Sequence, residues 1–205
     1  YQLDEAQGWS LDLAEIEARV TPRTRAIVIG NPNNPTGGQY GRAHLEGLLE
    51  LARRKKWVVF SDEIYDKLMF DGQTHLSTAG LSAEAKVVTF NGLSKAYLVP
   101  GFRIGWGIVS GPAAEMREYG EAIQKMERAR LSANHPEQYA IKPALEGPQT
   151  HLGPVMEKLT RRRELTVSRL NAIPGISCVS PAGAFYAFPR VDLGVDDQTF
   201  VGRVL

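Results

Sequence analysis

The sequence has almost no cysteine, no long apolar run and no excess of charge of one sign, and each absence excludes a class of protein. Cys178 is the only cysteine among 205 residues, which excludes an intrachain disulfide and a metal–thiolate cluster. No apolar stretch approaches the roughly 20 residues that span a bilayer. Lys and Arg total 24 against 23 Asp and Glu, which gives no reason to expect nucleic acid as a partner. The first residues lack the pattern of a secretion signal, so we expect a cytoplasmic protein.

The first half of the chain alternates short apolar runs with helical patterns. Strands are predicted at residues 26–29, 57–60, 87–90 and 104–109, and leucines at helical spacing predict a helix over residues 45–56. Continuous apolar strands that alternate with helices indicate an α/β fold, with a mainly parallel sheet covered by helices on both faces. In such sheets the chemistry gathers at the carboxyl ends of the strands.

The chain after the fourth strand is mainly helical and contains two boundary signals. A break is predicted at Pro136, because proline disrupts the interior of a helix. The dipeptide Gly147-Pro148 then predicts a domain boundary near residue 150. We expect part of a large domain over residues 1–150 and part of a smaller α+β domain over residues 151–205.

The smaller part is predicted to contain one helix and two strands. The helix covers residues 154–170, and the strands lie near residues 176–179 and 184–188. Cys178 lies in the first of these strands, where it is interpreted as a small apolar residue.

Two polar features follow the first two predicted strands. The loop Asn31–Gly37 (NPNNPTG) is stiff and holds its amides at fixed positions, although an ordinary turn is the alternative. Asp62 ends the second strand, where a carboxylate loses solvation and needs a partner. Asp62 could instead cap the next helix. Tyr65 follows one turn later and could equally be a core aromatic residue.

Two further features bring positive charge to the same edge of the sheet. Lys95 follows the third strand, where an ammonium group would be desolvated, and Schiff-base chemistry needs a neutral amine. A lysine that extends to solvent is the alternative. Arg103 lies between glycines that allow close backbone approach, and a guanidinium group binds phosphate through two hydrogen bonds. A structural ion pair is the alternative for Arg103.

Together, these motifs resemble those of the class I/II aminotransferases of fold type I. The resemblance covers the whole chain in order and spacing, and it rests on five segments: Asn31–Gly37, Ser61–Tyr65 (SDEIY), Ser94-Lys95, Gly101–Gly105 (GFRIG) and Gly183–Pro189 (GAFYAFP). Within the family, residues 89–97 and 130–134 look most similar to the bacterial alanine (glutamate–pyruvate) aminotransferases.

The resemblance implies a role for each polar residue around pyridoxal phosphate. Lys95 would form the Schiff base with this cofactor and then move the proton between the substrate Cα and the cofactor. Asp62 would pair with the pyridine nitrogen and keep it protonated, so that the ring accepts electrons. Asn34 and Tyr65 would hydrogen-bond the ring oxygen, and Asn34 would also touch the substrate carboxylate. The bond between Asn34 and Pro35 is expected to be cis.

Phosphate binding is implied for Arg103, with Ser94 assisting. Many relatives carry a serine three residues before the lysine, where its hydroxyl binds phosphate. This sequence has Gly92 at that position. We therefore expect the phosphate contacts to come more from Arg103, from Ser94 and from parts of the family's chain outside this sequence.

The resemblance also implies that the family's chain extends beyond both ends of this sequence. Its opening segment would carry a phosphate-binding loop and an aromatic residue that stacks on the ring. The arginine that binds the substrate carboxylate would lie beyond Leu205, since Arg128, Arg130 and Arg190 do not stand in its motif. Asn134 falls where the family places a residue near the partner subunit's site, so a homodimer is expected.

The leading hypothesis is an aminotransferase that uses alanine or glutamate with pyruvate or 2-oxoglutarate. A pyridoxal-phosphate lyase acting on C–S bonds is one alternative. The sensor domain of a transcription regulator is another, and it requires a DNA-binding segment upstream of Tyr1. A third alternative is that the chain is inactive alone. The choice of substrate depends on contacts that this sequence mostly does not include.

Overall fold

The computed structural model describes residues 1–205 and confirms the predicted α/β fold. The strands are β1 (Leu3–Asp4), β2 (Ser10–Leu11), β3 (Ala26–Gly30), β4 (Val58–Asp62), β5 (Lys86–Gly92), β6 (Gly105–Ser110), β7 (Ile176–Cys178) and β8 (Pro189–Val191). The helices are α1 (Leu13–Ala18), α2 (Arg42–Lys55), α3 (Ala113–Glu127), α4 (His135–Gln138), α5 (Ile141–Glu146), α6 (Leu152–Asn171) and α7 (Asp197–Val204).

The central sheet has four strands in the order β3-β4-β5-β6. Strands β3, β4 and β5 are parallel, as predicted, whereas β6 runs antiparallel to β5. A parallel neighbour needs a long crossover, usually through a helix. Residues 93–104, which connect β5 to β6, contain no α-helix, and the chain turns back instead.

The first face of the central sheet carries the main hydrophobic core. Ile27, Ile29, Val59 and Val87 alternate along their strands with residues of the opposite face, so their side chains point the same way. The leucines of α2 and Ile16 of α1 pack in one cluster with them. Burial of this apolar helix face stabilises α2 in the predicted place.

The second face of the sheet is partly open, and the expectation that helices cover both faces is wrong there. Val28 is 65% exposed and Phe90 is 41% exposed, although Val88 is buried. The rings of Phe60 and Phe90 stack on this face, with centroids 6.0 Å apart. The physical reason is that α1 and α2, which lie beside β3 and β4 in sequence, both pack on the first face.

The helical region between β6 and α6 breaks where the proline predicts a break. Helix α3 ends at Glu127, and α4 begins at His135 with Pro136 in its first turn. Proline is tolerated there because the first N–H groups of a helix have no partner inside the helix. None of the helices is long and apolar enough to cross a membrane.

The last part of the chain consists of α6, the antiparallel pair β7-β8 and α7. The strand predicted over residues 184–188 is wrong, and the strand present is β8. Ala184 adopts a left-handed conformation with φ of 61°, and its N–H donates to the carbonyl of Leu68 at 2.8 Å. This turn leaves the strand path and packs Tyr186 against Tyr65. The domain boundary near residue 150 stays a prediction.

Candidate active site

A cleft of about 680 Å³ opens at the carboxyl ends of β3, β4 and β5. The structure brings all six residues predicted from the sequence to this cleft, from four separate segments of the chain. They are Asn34, Asp62, Tyr65, Ser94, Lys95 and Arg103. The location at the strand ends is the one expected for a parallel α/β sheet.

The loop after β3 is held by its own asparagines and presents one of them to the cleft. The Asn31 side-chain oxygen accepts a hydrogen bond from the N–H of Tyr40 at 2.9 Å, and Asn33 accepts one from the Thr36 hydroxyl at 2.9 Å. Asn34 is exposed at the cleft. The bond between Asn34 and Pro35 is cis, as predicted, and the bond between Asn31 and Pro32 is also cis.

Asp62 ends β4 with its carboxylate open to the cleft. The expectation that this carboxylate is desolvated is wrong, because Asp62 is exposed. Its Oδ1 accepts a hydrogen bond from the N–H of Ile64 at 3.1 Å, so the local turn bond that was the alternative is present. Its Oδ2 accepts no hydrogen bond from the protein, and no cationic side chain pairs with it.

Directly behind Asp62, Glu63 is buried and enclosed by hydrogen bonds. Its Oε1 accepts from the Ser61 hydroxyl and from the N–H of Thr78, each at 2.9 Å, and its Oε2 lies 2.9 Å from the His75 Nε2. Burial alone would raise the pKa of Glu63, yet the hydrogen bonds from His75 and Thr78 hold that pKa below its ordinary value. Sequence reasoning missed this network, whose signal was an acidic residue next to Asp62.

Tyr65 is both a core aromatic residue and a cleft residue. Its ring is buried, while its hydroxyl lies 2.6 Å from the hydroxyl of Tyr186, which also lines the cleft. Burial raises the pKa of Tyr65, the shared hydrogen bond with Tyr186 raises it further, and the Asn34 side chain opposes the shift. Tyr65 is therefore protonated at neutral pH. Sequence reasoning missed Tyr186, although it lies in the quoted segment Gly183–Pro189.

Lys95 lies in the turn after β5, half-buried at the wall of the cleft. Its Nζ is 5.6 Å from the ring centroid of Phe185 and 5.9 Å from that of Tyr65. Ring faces at this distance attract a cation without consuming a hydrogen bond. No carboxylate pairs with Lys95, so its amine is left free for chemistry.

Arg103 and Ser94 also line the cleft. Arg103 is exposed, and its Nη1 donates to the carbonyl of Pro100 at 2.7 Å. No acidic side chain pairs with Arg103, so the structural ion pair that was its alternative is absent. Nearby, Asn134 donates to the carbonyl of Phe102 at 3.2 Å, which ties the segment before α4 to the Arg103 turn.

Position 92 leaves no room for a side chain in this structure. A Cβ atom on Gly92 would lie 2.7 Å from the carbonyl oxygen of Ile104, and one on Gly105 would lie 2.9 Å from that of Asn91. Strands β5 and β6 approach too closely here for a side chain. The serine that many relatives carry would therefore collide with β6.

The donor set fits the chemical groups of pyridoxal phosphate. An aldehyde needs an amine, a protonated ring nitrogen needs a carboxylate, a ring oxygen needs donors, and a phosphate needs a guanidinium group. The cleft offers Lys95, the free Oδ2 of Asp62, the hydroxyl of Tyr65 with the Asn34 amide, and the unpaired nitrogens of Arg103. Residues of this chain alone supply one complement for each group.

Comparison with known proteins agrees with the geometry. Residues 1–200 match the family described as aminotransferase class I and II. The chain is 44% identical over 199 residues to the alanine aminotransferase of Mycobacterium tuberculosis, which covers 96% of this chain and 46% of that protein. It is 46% identical over 198 residues to the glutamate-pyruvate aminotransferase AlaA of Escherichia coli, which covers 94% of this chain and 48% of that protein.

A solved structure gives the same result. The alanine aminotransferase from Pyrococcus furiosus superposes with a TM-score of 0.96 and 41% identity, over 100% of this chain and 52% of that one. The chain spans about half the length of the curated relatives it matches. Fold, motifs and similarity agree, and the chain belongs to the class I and II aminotransferase family.

Proposed function

We propose that this chain supplies the lysine side of an alanine aminotransferase site that uses pyridoxal phosphate. The reaction exchanges an amino group between alanine or glutamate and pyruvate or 2-oxoglutarate. One observation carries the proposal: Lys95, Asp62 and Arg103 line one cleft, and none of these charged side chains has an ion-pair partner. The relatives named alanine and glutamate-pyruvate aminotransferase support the choice of substrates.

Lys95 is the residue that moves the proton in the proposed reaction. When bound, pyridoxal phosphate supplies an aldehyde that takes up amino groups and a ring that accepts electrons. The Lys95 amine would take a proton from the substrate Cα and deliver it to the C4′ carbon of the cofactor. Its half-buried position beside two aromatic rings limits the access of water to this amine.

The remaining cleft residues hold and polarise the cofactor. Asp62 keeps the ring nitrogen protonated through its free Oδ2, because a nearby negative charge favours the charged form of that nitrogen. Tyr65 and Asn34 hydrogen-bond the ring oxygen, and Asn34 also contacts the substrate carboxylate. Arg103 binds the phosphate, with Ser94 assisting.

We also propose that the whole protein is a cytoplasmic homodimer. Support comes from the position of Asn134, which is hydrogen-bonded beside the Arg103 turn in the segment that the family resemblance associates with the partner subunit. Sedimentation of the whole protein should give twice the mass of one chain, and a monomer that retains full turnover contradicts this proposal.

A half-reaction with alanine tests the proposed function. Adding alanine to the whole protein loaded with pyridoxal phosphate should convert the cofactor to its amino form and release pyruvate. A lyase acting on C–S bonds would leave the cofactor unchanged under the same conditions. Aspartate, glutamate and aromatic amino acids serve as comparisons, and a faster reaction with aspartate or an aromatic amino acid contradicts the alanine assignment.

A further inference from the structure

Tyr186 reaches the cleft from a part of the chain far from the strand ends. Its hydroxyl lies 2.6 Å from that of Tyr65, which is 121 positions earlier in the sequence. The two rings meet edge to face, with centroids 5.7 Å apart and planes at 86°. Both tyrosines line the cleft, so a ligand that contacts Tyr65 also comes close to Tyr186.

Backbone hydrogen bonds join the two segments that carry these tyrosines. Leu68 accepts a hydrogen bond from Ala184 at 2.8 Å, and Phe70 donates one to Ala182 at 3.0 Å. A Cβ atom on Gly183 would lie 2.6 Å from the Pro32 side chain, so the loop after β3 closes on this pairing from the other side. The chain segments that carry the two tyrosines are therefore held next to each other by the fold.

The number of protons in the pair determines what Tyr65 offers to a ligand. Each tyrosine hydroxyl has one proton, so only one of the two can donate to the other. If Tyr65 donates to Tyr186, Tyr65 has no proton left for a ligand. If Tyr186 donates to Tyr65, the Tyr65 proton is free, and successive donors strengthen one another. A negatively charged acceptor in the cleft favours the second arrangement, because hydrogen bonds to charged groups are stronger.

We infer that Tyr186 is a positioning residue, which donates to Tyr65 and so directs the Tyr65 proton at the ring oxygen of the cofactor. This inference rests on the proposed function. Tyr186 acts through Tyr65 and need not touch the cofactor. Burial raises the pKa of Tyr65, so Tyr65 keeps its proton at neutral pH and has one to donate.

The test uses the whole protein loaded with pyridoxal phosphate and a double-mutant cycle. The visible absorbance of the bound cofactor changes with pH, and a donor to its negatively charged ring oxygen lowers the midpoint of that change. Tyr186→Phe should raise the midpoint by about half a pH unit, as expected for one weakened hydrogen bond. Tyr65→Phe should raise it further, and Tyr186→Phe should then add nothing in the Tyr65→Phe protein.

Tyr139→Phe is the matched control, because this side chain is 73% exposed and lies outside the cleft. The inference is overturned if Tyr186→Phe leaves the midpoint where Tyr139→Phe leaves it, or shifts it equally with and without Tyr65. Failure of the proposed function looks different, since the wild-type protein would then show no change of absorbance with alanine.

A second measurement covers a Tyr186→Phe protein that binds the cofactor poorly. In the cofactor-free protein, urea unfolding of the two single variants and of the double variant measures the coupling between the two hydroxyls. Tyr65→Phe and Tyr186→Phe remove the same hydrogen bond, so their losses of free energy of unfolding should not add in the double variant. Additive losses contradict the pairing.

Discussion

Two neighbouring regions of the molecule differ in whether their polar side chains have partners within the protein. Behind the strand ends, Glu63 is buried and both of its carboxylate oxygens have hydrogen-bond partners inside the protein. In the cleft in front of it, Asp62, Lys95 and Arg103 have no ion-pair partner. Buried polar groups must be paired because burial removes their water, whereas cleft groups remain available to a ligand. We call the buried hydrogen-bonded network around Glu63 the frame. The cleft residues Asp62, Lys95 and Arg103 lie in front of the frame and are available for chemistry.

The largest effect on chemistry is expected at Lys95. Lys95→Ala removes the amine, so the visible absorbance of the bound cofactor should change and turnover should fall by about 1,000-fold or more. Lys95 belongs to the cleft, so the melting temperature of the cofactor-free protein should stay the same. Lys125→Ala, an exposed lysine on α3, is the control. If Lys95→Ala turns over as fast as the Lys125→Ala control, Lys95 takes no part in the reaction.

The adjacent acids Asp62 and Glu63 offer the sharpest test of the difference between frame and cleft. Asp62→Asn keeps the bond to Ile64, so the free energy of unfolding should change by less than about 0.5 kcal/mol while turnover falls about 100-fold. Glu63→Gln leaves part of a buried network unpaired and should lower the free energy of unfolding by about 1–3 kcal/mol.

Urea unfolding and steady-state kinetics measure both effects. Glu118→Gln, an exposed acid on α3, is the control for the loss of one charge. Equal losses of stability in the Asp62 and Glu63 variants contradict the distinction between the two regions.

Arg103→Lys should have a smaller effect. Lysine keeps the charge but loses the planar group that forms two hydrogen bonds with a phosphate, so cofactor affinity should fall about tenfold. Equilibrium dialysis with pyridoxal phosphate measures this change. Arg117→Lys on α3 changes an exposed arginine in the same way and should bind normally. Unchanged affinity in Arg103→Lys indicates that the phosphate binds elsewhere.

The smallest effect is expected on the free energy of unfolding when the pH is lowered. The pKa of Glu63 is lowered in the folded protein, so this carboxylate binds protons more weakly than in the unfolded chain, where the ordinary value is 4.5. Its contribution to stability is therefore complete above that value and is lost as the pH falls from there through the lower, folded pKa. Urea unfolding below pH 5 should show a shallower loss of stability in Glu63→Gln than in the wild type. Parallel pH profiles rule out this role of Glu63.

The sequence predicted the cleft better than it predicted the frame. Lys95, Asp62 and the loop after β3 follow apolar strands directly, so the parallel sheet brings them together once the strands are recognised. The pair Glu63–His75 is 12 residues apart with no periodic pattern between them, and only tertiary packing unites it. The contact of Tyr186 with Tyr65 was not predicted, because the sequence of its segment predicts a strand. In the structure, the left-handed conformation of Ala184 prevents that strand.

Tertiary packing also determines which face of the sheet is covered, and local sequence does not predict it. Apolar strands such as β3 predict burial on both sides, yet local sequence does not specify on which face each connecting helix packs. Val28 stays exposed because α1 and α2 lie together on the opposite face.

The most direct measurement of the central claim is a single-turnover reaction of the whole protein loaded with pyridoxal phosphate, in the wild type and in Lys95→Ala. With alanine, the wild type should convert the cofactor to its amino form and release one pyruvate per site, whereas Lys95→Ala should not do so on the same timescale. Equal rates of pyruvate release in the two proteins would contradict the claim that Lys95 performs the proton transfer in this cleft.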